Sequence, residues 1–437
     1  MTTIEPSYGR VRTAARLALL AGGLFVVGTN AFVIAGVLPA IAGDLGTTQP
    51  AVASSITWYA AVVAVASPLV GVLLPRAPRT ALIAVGLLLV AAGTVVAAFA
   101  PGLTVFVAGR VLAALGGAAL VPTATAAAPT LLPPERRGLA LAVTGLGFTL
   151  ASAIGSPAGT ALAAAVGWRV TMLALAGLAV LLAGGVALRL GHLPAGAPVS
   201  LGRRLGVLRD RRVVLVLAAT ALVTAGFNVV YIFSAQLSHA ATGGDGRLLA
   251  LLLLLYGAGG VVGTALAGPV TDRFGNRPTS AVATGALVAV FVLLALEERS
   301  FVALAVLFAV WGVVAFAAVV PLQHRLVGID PATAGLTLGW YSTAMYVGIA
   351  CAPLLGAAAL AGGGAVELPL AGAAATALAL VAFQLGFVGR GHTAAEAQPS
   401  GQTTGQTSGQ PSGQPLGASS ETSGTTSAIE SSTRVGR

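Results

Sequence analysis

Charge is scarce in this chain. Of its 437 residues, 8% are Asp, Glu, Lys or Arg, against about 25% in an ordinary soluble domain, which argues against a water-soluble globule. Lysine is absent: all 23 basic residues are arginine. A P-loop nucleotide site and a Schiff base to a cofactor or pigment both require lysine, so those mechanisms are excluded. The single cysteine, Cys351, rules out an intramolecular disulfide. The four histidines (His192, His239, His324 and His392) are far apart and show no metal-ligand spacing. No metal and no cofactor is expected.

What is abundant is apolar, 57% of the chain. Marking every Asp, Glu and Arg leaves twelve uncharged apolar intervals: 17–43, 45–75, 80–109, 111–134, 138–168, 170–188, 213–244, 248–271, 278–296, 300–324, 331–366 and 368–389. A hydrocarbon layer of ~30 Å takes about 20 residues as a helix, and a bilayer offers no water to unpaired backbone. Barrel strands of about 10 residues would alternate in polarity, and these runs do not. The expectation is an all-α membrane protein of twelve transmembrane helices. Ala40-Ile41-Ala42 resembles a signal-peptide cleavage site, but the apolar stretch around it is too long and eleven more follow. Residues 397–420 are also uncharged, yet consist of Gly, Gln, Ser, Thr and Pro with a recurring GQ, the composition of a disordered tail.

The arginines give an orientation. With the N-terminus inside, inner segments carry seventeen of them, while outer loops carry Arg169, Arg247 and Arg299. By the positive-inside rule both termini are cytoplasmic and the protein belongs in the cell membrane. The net charge of +10 is thereby explained without a nucleic-acid partner.

A repeat underlies the twelve runs. Gly28-Thr29-Asn30 matches Gly226-Phe227-Asn228 at an offset of 198, Gly71 matches Gly268 and Gly138-Leu139 matches Gly335-Leu336 at 197, and Pro157 matches Pro353 at 196. The longest polar interruption, with five arginines, falls between the repeats. The expected organisation is an N-terminal six-helix bundle (1–190), a cytoplasmic linker (191–212), a second bundle (213–390) and a disordered cytoplasmic tail (391–437). Two such repeats form a site at mid-membrane between halves that rock.

Particular motifs accompany the repeat. Helix 1 reads Gly28-Thr29-Asn30-Ala31-Phe32, then Gly36, Leu38-Pro39, Ile41-Ala42 and Asp44-Leu45-Gly46; helix 4 has Gly109-Arg110; the 4–5 loop is Pro134-Glu135-Arg136-Arg137-Gly138; helix 5 carries Gly155-Ser156-Pro157-Ala158-Gly159; and Gly167-Trp168-Arg169 turns the 5–6 corner. On these residues, roughly 17–390 of the chain resembles the major facilitator superfamily, and more narrowly its twelve-span drug:proton antiporter branch, near the sugar-efflux and chloramphenicol-resistance-like exporters. The resemblance implies two pseudo-symmetric six-helix bundles, a small-molecule substrate, protons as coupling ion and a part for Arg110 in coupling or anion binding. It also identifies Gly268 to Arg277, with Asp272, Arg273 and Arg277, as similar to the family's cytoplasmic gate motif; a tight turn with positive-inside arginines is the plainer alternative. The first repeat has Gly71, Pro75, Arg76 and Arg79 there, with proline where the acid belongs, so any latch is lopsided. Many of the branch carry a membrane acid at or beside position 30; here Asn30-Ala31 has none.

Within the runs, few side chains bear chemistry. Arg110 is expected to be the one charge inside a span, either functional or snorkelling to the outer surface. Asn30 and Asn228 need polar partners, and with Tyr231 at i+3 they either line a substrate site or bridge helices. Tyr341 and Met345 share a face of helix 11 beside Trp340 and Tyr346, suited to an apolar ligand or to the interfacial aromatic belt. Pro157 predicts a bend. Asp44 reads as a helix-end residue; if protons drive transport, their carrier is Asp44, a gate acid or the substrate itself. The leading expectation is a monomeric exporter of small amphiphilic molecules by proton-coupled alternating access. An uncoupled sugar or metabolite facilitator is the alternative, and a polytopic membrane enzyme a remote one, since Glu297-Glu298 is the sole adjacent acid pair.

Overall fold

With no water to satisfy peptide groups, each apolar run closes its own hydrogen bonds, and each does so as a helix. The computed structural model describes residues 7–74, 76–133, 136–191, 193, 201–297 and 299–387. Pro75, Pro134, Glu135, His192, Glu298, Arg390, His392 and the tail 391–437 lie outside them. Among the described residues, twelve helices are long and apolar enough to cross a membrane: α1 (Arg12–Asp44), α2 (Gln49–Leu73), α3 (Arg79–Ala98), α4 (Leu103–Leu131), α5 (Arg137–Val166), α6 (Trp168–Arg189), α7 (Arg211–Ile232), α8 (Gly246–Phe274), α9 (Asn276–Leu296), α10 (Phe301–Ile329), α11 (Pro331–Gly363) and α12 (Glu367–Leu385). The chain is a multi-pass membrane protein.

These helices follow the charge-free runs with three differences. First, α8 continues through Asp272 and Arg273, and α10 through Arg325, so Arg110 is not the sole charge within a span. Arg325 is buried, 4% exposed; it donates to the Gly386 carbonyl (3.4 Å) and lies 4.3 Å from the centre of the Phe387 ring. Helical hydrogen bonding does not stop at a charge whose head finds a carbonyl and an aromatic face. Second, the run 213–244 is not one helix. It breaks after Ile232 into two short helices, Ser234–Leu237 and His239–Thr242, and Gly243 and Gly244, at φ of +62° and +81°, turn the chain into α8 in a conformation glycine adopts without strain. Third, the irregularity expected at Pro157 lies one turn earlier, as a π-helical turn over Ala151–Gly155. Proline supplies no N–H to the preceding turn, and a wider turn absorbs the mismatch.

Charges sit where helix dipoles favour them. Asp210, Asp245 and Asp330 cap helix starts, accepting from the backbone N–H of Arg212 (2.8 Å), Arg247 (2.7 Å) and Ala332 (3.0 Å). The Arg212 guanidinium, bonded to Asp210 at 2.8 Å, holds that carboxyl below the usual carboxylate range. Arginines meet the carbonyl ends of even-numbered helices: Arg16 reaches Arg189 O (3.2 Å) on α6, Arg79 reaches Ala126 O (3.1 Å) on α4, and Arg325 reaches Gly386 O just beyond α12. Even-numbered spans all end on the face that carries the linker, so the arginines crowding it double as helix caps.

Packing separates the two halves and then joins them. In the second half Gly259 and Gly263 of α8 meet α10 backbone to backbone; a Cβ at Gly263 would fall on the Val313 carbonyl, and one at Gly312 on that of Tyr256. This is the close approach that the GxxxG spacing allows. Between the halves, Val33, Ile34, Leu38, Ile56 and Tyr59 of α1 and α2 share one buried apolar cluster with Val229, Ile232, Tyr346 and Ile349 of α7 and α11. On the linker face, the helix Leu201–Gly206 touches both sides. Trp340 Nε1 of α11 donates to Arg204 O (2.9 Å), while the Arg204 guanidinium lies against Gly71 of α2. On the opposite face Asp44, at the end of α1, pairs with Arg169 and accepts from Trp168 Nε1 (3.1 Å). Its helix-end reading holds.

Candidate functional site

Where the halves meet, a cavity of about 10 Å³ remains, lined by Ala31, Phe32, Ala35, Ile56, Tyr59, Asn228, Tyr231, Ile232, Tyr346 and Ile349. That is room for roughly one water. α1 and α2 supply one wall and α7 and α11 the other, so no single bundle contains the site. Two hydrogen bonds close it. Tyr231 donates to Ser156 Oγ (2.7 Å), joining α7 to α5 beside Pro157, and Thr57 donates to the Ala350 carbonyl (2.9 Å), joining α2 to α11.

Aromatic rings run through this junction. Phe148 meets Phe32 (centroids 5.5 Å apart), Phe32 meets Tyr231 (5.8 Å), Tyr231 meets Tyr256 (5.3 Å) and Tyr256 meets Trp311 (4.3 Å). Their arrangement is mostly edge-to-face or tilted, the geometry ring quadrupoles prefer. The hydroxyls of Tyr59 and Tyr346, both on the cavity wall, are buried with no hydrogen-bond partner. Apolar faces with spare donors and acceptors make a surface for a planar or amphiphilic ligand.

Arg110 stands immediately behind that wall. It is 1% exposed, with its guanidinium carbon 4.4 Å from the centre of the Tyr59 ring. Nη1 donates to both Asn30 O (2.7 Å) and Asn30 Oδ1 (2.5 Å). The Asn30 amide in turn donates to Thr94 Oγ1 (2.7 Å), and Thr94 donates to Val90 O (2.6 Å). Arg110 therefore does not snorkel; it is held inside the first half by Asn30 of α1, itself bonded to Thr94 of α3, and by the Tyr59 ring of α2.

The structure sorts the sequence-derived residues accordingly. Asn228 and Tyr231 line the cavity, and Asn228 donates to Thr224 O of its own helix (2.9 Å). Asn30 is fully buried behind the wall with Arg110. Tyr341 is buried in the core of the second half, and Met345 is half-buried beside the shared cluster; neither lines the cavity, whereas their neighbour Tyr346 does. On the linker face Asp272 lies 3.5 Å from His324, both exposed. Arg273 stacks on Phe274 (5.4 Å), and Arg277 donates to Gln384 Oε1 (2.8 Å), so among the described residues neither arginine pairs with Asp272. Tyr59, Phe32 and Tyr256 were missed. Ser55 and Tyr59, four apart, form a polar stripe on α2 that could have flagged the first.

Beyond the closed centre, on the face opposite the linker, lies a larger cavity of about 980 Å³. Gly36, Gln49 and Thr160 of the first half and Gln236, His239, Asp245 and Arg247 of the second are among its walls. A volume of this order accommodates a drug-sized molecule, so the junction is shut at its centre and open toward one face.

Comparison with known proteins agrees with this geometry. Residues 20–328 match the family described as Major Facilitator Superfamily. The chain is 31% identical over 367 residues to the inner membrane transport protein YdhP of Escherichia coli (strain K12), covering 84% of this chain and 94% of that protein. It is 34% identical over 354 residues to a chloramphenicol resistance protein of Streptomyces lividans, covering 79% and 88% respectively. The crystal structure of a mutant of the nucleoside transporter NupG superposes with a TM-score of 0.69 at 12% identity, over 85% of this chain and 99% of that one; at that identity the likeness concerns the fold. Twelve spans in two pseudo-symmetric six-helix bundles around a shared crevice, and a family match across most of the helical region, place this chain in the major facilitator superfamily of membrane transporters.

Proposed function

We propose that this chain exports small amphiphilic molecules, drug-like compounds or metabolites, across the cytoplasmic membrane by alternating access in exchange for protons. The observation that carries the reading is the aromatic crevice built jointly by the two repeats, closed between them by two hydrogen bonds. Each such bond is worth ~1 kcal/mol, and opening must also separate the apolar contacts shared by the halves, a cost that cargo binding to the open form offsets. Relatives named for chloramphenicol resistance and chloramphenicol efflux support both the outward direction and an amphiphilic cargo.

In this reading residues 1–190 and 213–390 rock as two bodies, a monomer suffices, and both termini are cytoplasmic. Cargo enters from the linker face, binds against Phe32, Tyr59, Asn228, Tyr231 and Tyr346, and leaves through the large outer cavity. Arg110 and Asn30 tune the site from behind Tyr59, Pro157 and its π turn serve as the flexing point, and Asp272, Arg273 and Arg277 regroup as the linker face opens and closes. The chain performs no chemical step.

Purified protein in liposomes loaded with chloramphenicol tests the proposal. A proton gradient oriented to drive protons in as cargo leaves should accelerate its exit, and a protonophore should remove the acceleration. One observation favours a second reading, an uncoupled facilitator: among the described residues, the acids within the twelve spans, Asp44, Asp272 and Glu367, all stand at or near helix ends. Exit that ignores the gradient would select it.

A further inference from the structure

We infer that the central site selects its cargo by charge, admitting uncharged and anionic amphiphiles and rejecting organic cations. The inference rests on the export reading above and names its substrate class. Its basis is an unopposed positive charge. A guanidinium stays protonated inside proteins, and a charge buried in a membrane is ordinarily paired. Arg110 is not. Its hydrogen-bonded neighbour is the neutral amide of Asn30, and its Nε and Nη2 have no partner.

Asn30 is fixed in that neutral role. Its oxygen accepts from Arg110 and its nitrogen donates to Thr94, whose hydroxyl is itself committed to Val90 O. Among the described residues, no carboxylate pairs with Arg110. The acids within the described spans stand at or near helix ends: Asp44 of α1 is engaged by Arg169 and Trp168, Asp272 of α8 lies beside His324 on the linker face, and Glu367 opens α12. The residues lining the central cavity carry no carboxylate either. The Arg110 guanidinium is separated from the crevice by the Tyr59 ring, which puts it ~8 Å from a charge bound there. At that separation and an effective dielectric constant of about 20, like charges disfavour binding about 30-fold. Aromatic walls acting alone would attract a quaternary ammonium, but the Tyr59 ring already carries a guanidinium, and a second cation against the same ring meets the first.

The test uses two isosteric probes, an aryl amide bearing a tert-butyl group and its trimethylammonium counterpart, which differ by one charge. Their binding to the full-length protein is measured in nanodiscs, where no membrane potential acts, and their efflux from liposomes with the potential clamped at zero. The wild type should bind the uncharged probe about 30-fold more tightly. Asn30→Asp, isosteric and able to accept the same bonds from Arg110, should bring the ratio close to one. So should Arg110→Gln, which removes the charge; where that variant does not accumulate, Asn30→Asp alone carries the test. Equal affinity of the wild type for both probes, or an unchanged ratio in Asn30→Asp, would overturn the inference. Equal efflux of both probes would overturn it while leaving export intact. A 30-fold binding ratio without efflux of either probe would uphold the charge selection and overturn the export reading.

Discussion

Replacing Tyr231 by Phe removes one hydroxyl from the seam between the halves. Its partner is Ser156 Oγ at 2.7 Å, and both residues are buried, so water does not substitute for the lost bond. A net hydrogen bond contributes about 0.5–1.5 kcal/mol, and within membranes the measured average is ~0.6 kcal/mol. The equilibrium between closed and open crevice should therefore shift about three- to twelve-fold toward open. Ser156→Ala should do the same, and the double variant should add little to either, because both changes delete one interaction. Spin labels at Phe99 and Leu296, exposed residues at the ends of α3 and α9 away from the linker, report the distance between halves by double electron–electron resonance. Cys351 is the native cysteine and is exposed, so Cys351→Ser provides the background. A population of altered distances that grows in Tyr231→Phe is the expected result. Strictly additive effects of the two substitutions, or distance distributions identical to the parent, would refute the assignment of this bond as a fastening between the halves.

Further outcomes follow from the same geometry. Arg110→Ala should reduce efflux to the background of cells lacking the protein while the chain still reaches the membrane; wild-type efflux would remove Arg110 from the mechanism. Asp44→Asn should lower thermal stability by no more than ~1 kcal/mol, since the Asp44–Arg169 pair is about 40% exposed on each side, and a loss of gradient-driven efflux would instead mark Asp44 as a proton carrier. Gly263→Val should destabilise by ~1–3 kcal/mol or more, because its side chain would meet the Val313 backbone rather than a movable group; an unchanged unfolding temperature would contradict the close packing of α8 on α10.

Much of this architecture was legible because lipid simplifies the problem. A span is a run without charge, and that rule located all twelve helices. It failed at Arg325, whose burial depends on a carbonyl and a ring about sixty residues away, and at 233–242, where an uncharged stretch is not one helix. The candidate site was legible only in part. The repeat pairs Asn30 with Asn228 and suggests equivalent surroundings, yet the structure separates them. The second-half counterpart of Arg110 is Leu307 at an offset of 197, or Phe308 at the 198 that relates the two asparagines, and neither carries a charge. With no cation to hold, Asn228 turns back to its own helix and remains on the cavity wall, whereas Asn30 is drawn behind it. Tyr346 rather than Tyr341 reaches the cavity for a related reason: the rotation of α11 about its axis is set by packing against α2 and α7, and helical spacing within one sequence does not reveal it. The sequence sets Asp272 beside Arg273 and Arg277, but neighbours in sequence do not reveal that its partner is His324, about fifty residues away on α10.

The central claim is that cargo passes between two bodies that must move apart. Ala164 on α5 and Gly246 on α8 lie on opposite halves of the rim away from the linker, and a Cβ at position 246 would stand 3.0 Å from the Ala164 Cβ, close to disulfide spacing. Ala164→Cys with Gly246→Cys, in the Cys351→Ser background, should therefore form a bridge on oxidation. The account predicts that efflux stops when the bridge forms and returns when it is reduced; efflux at the unbridged rate with the disulfide intact would contradict it.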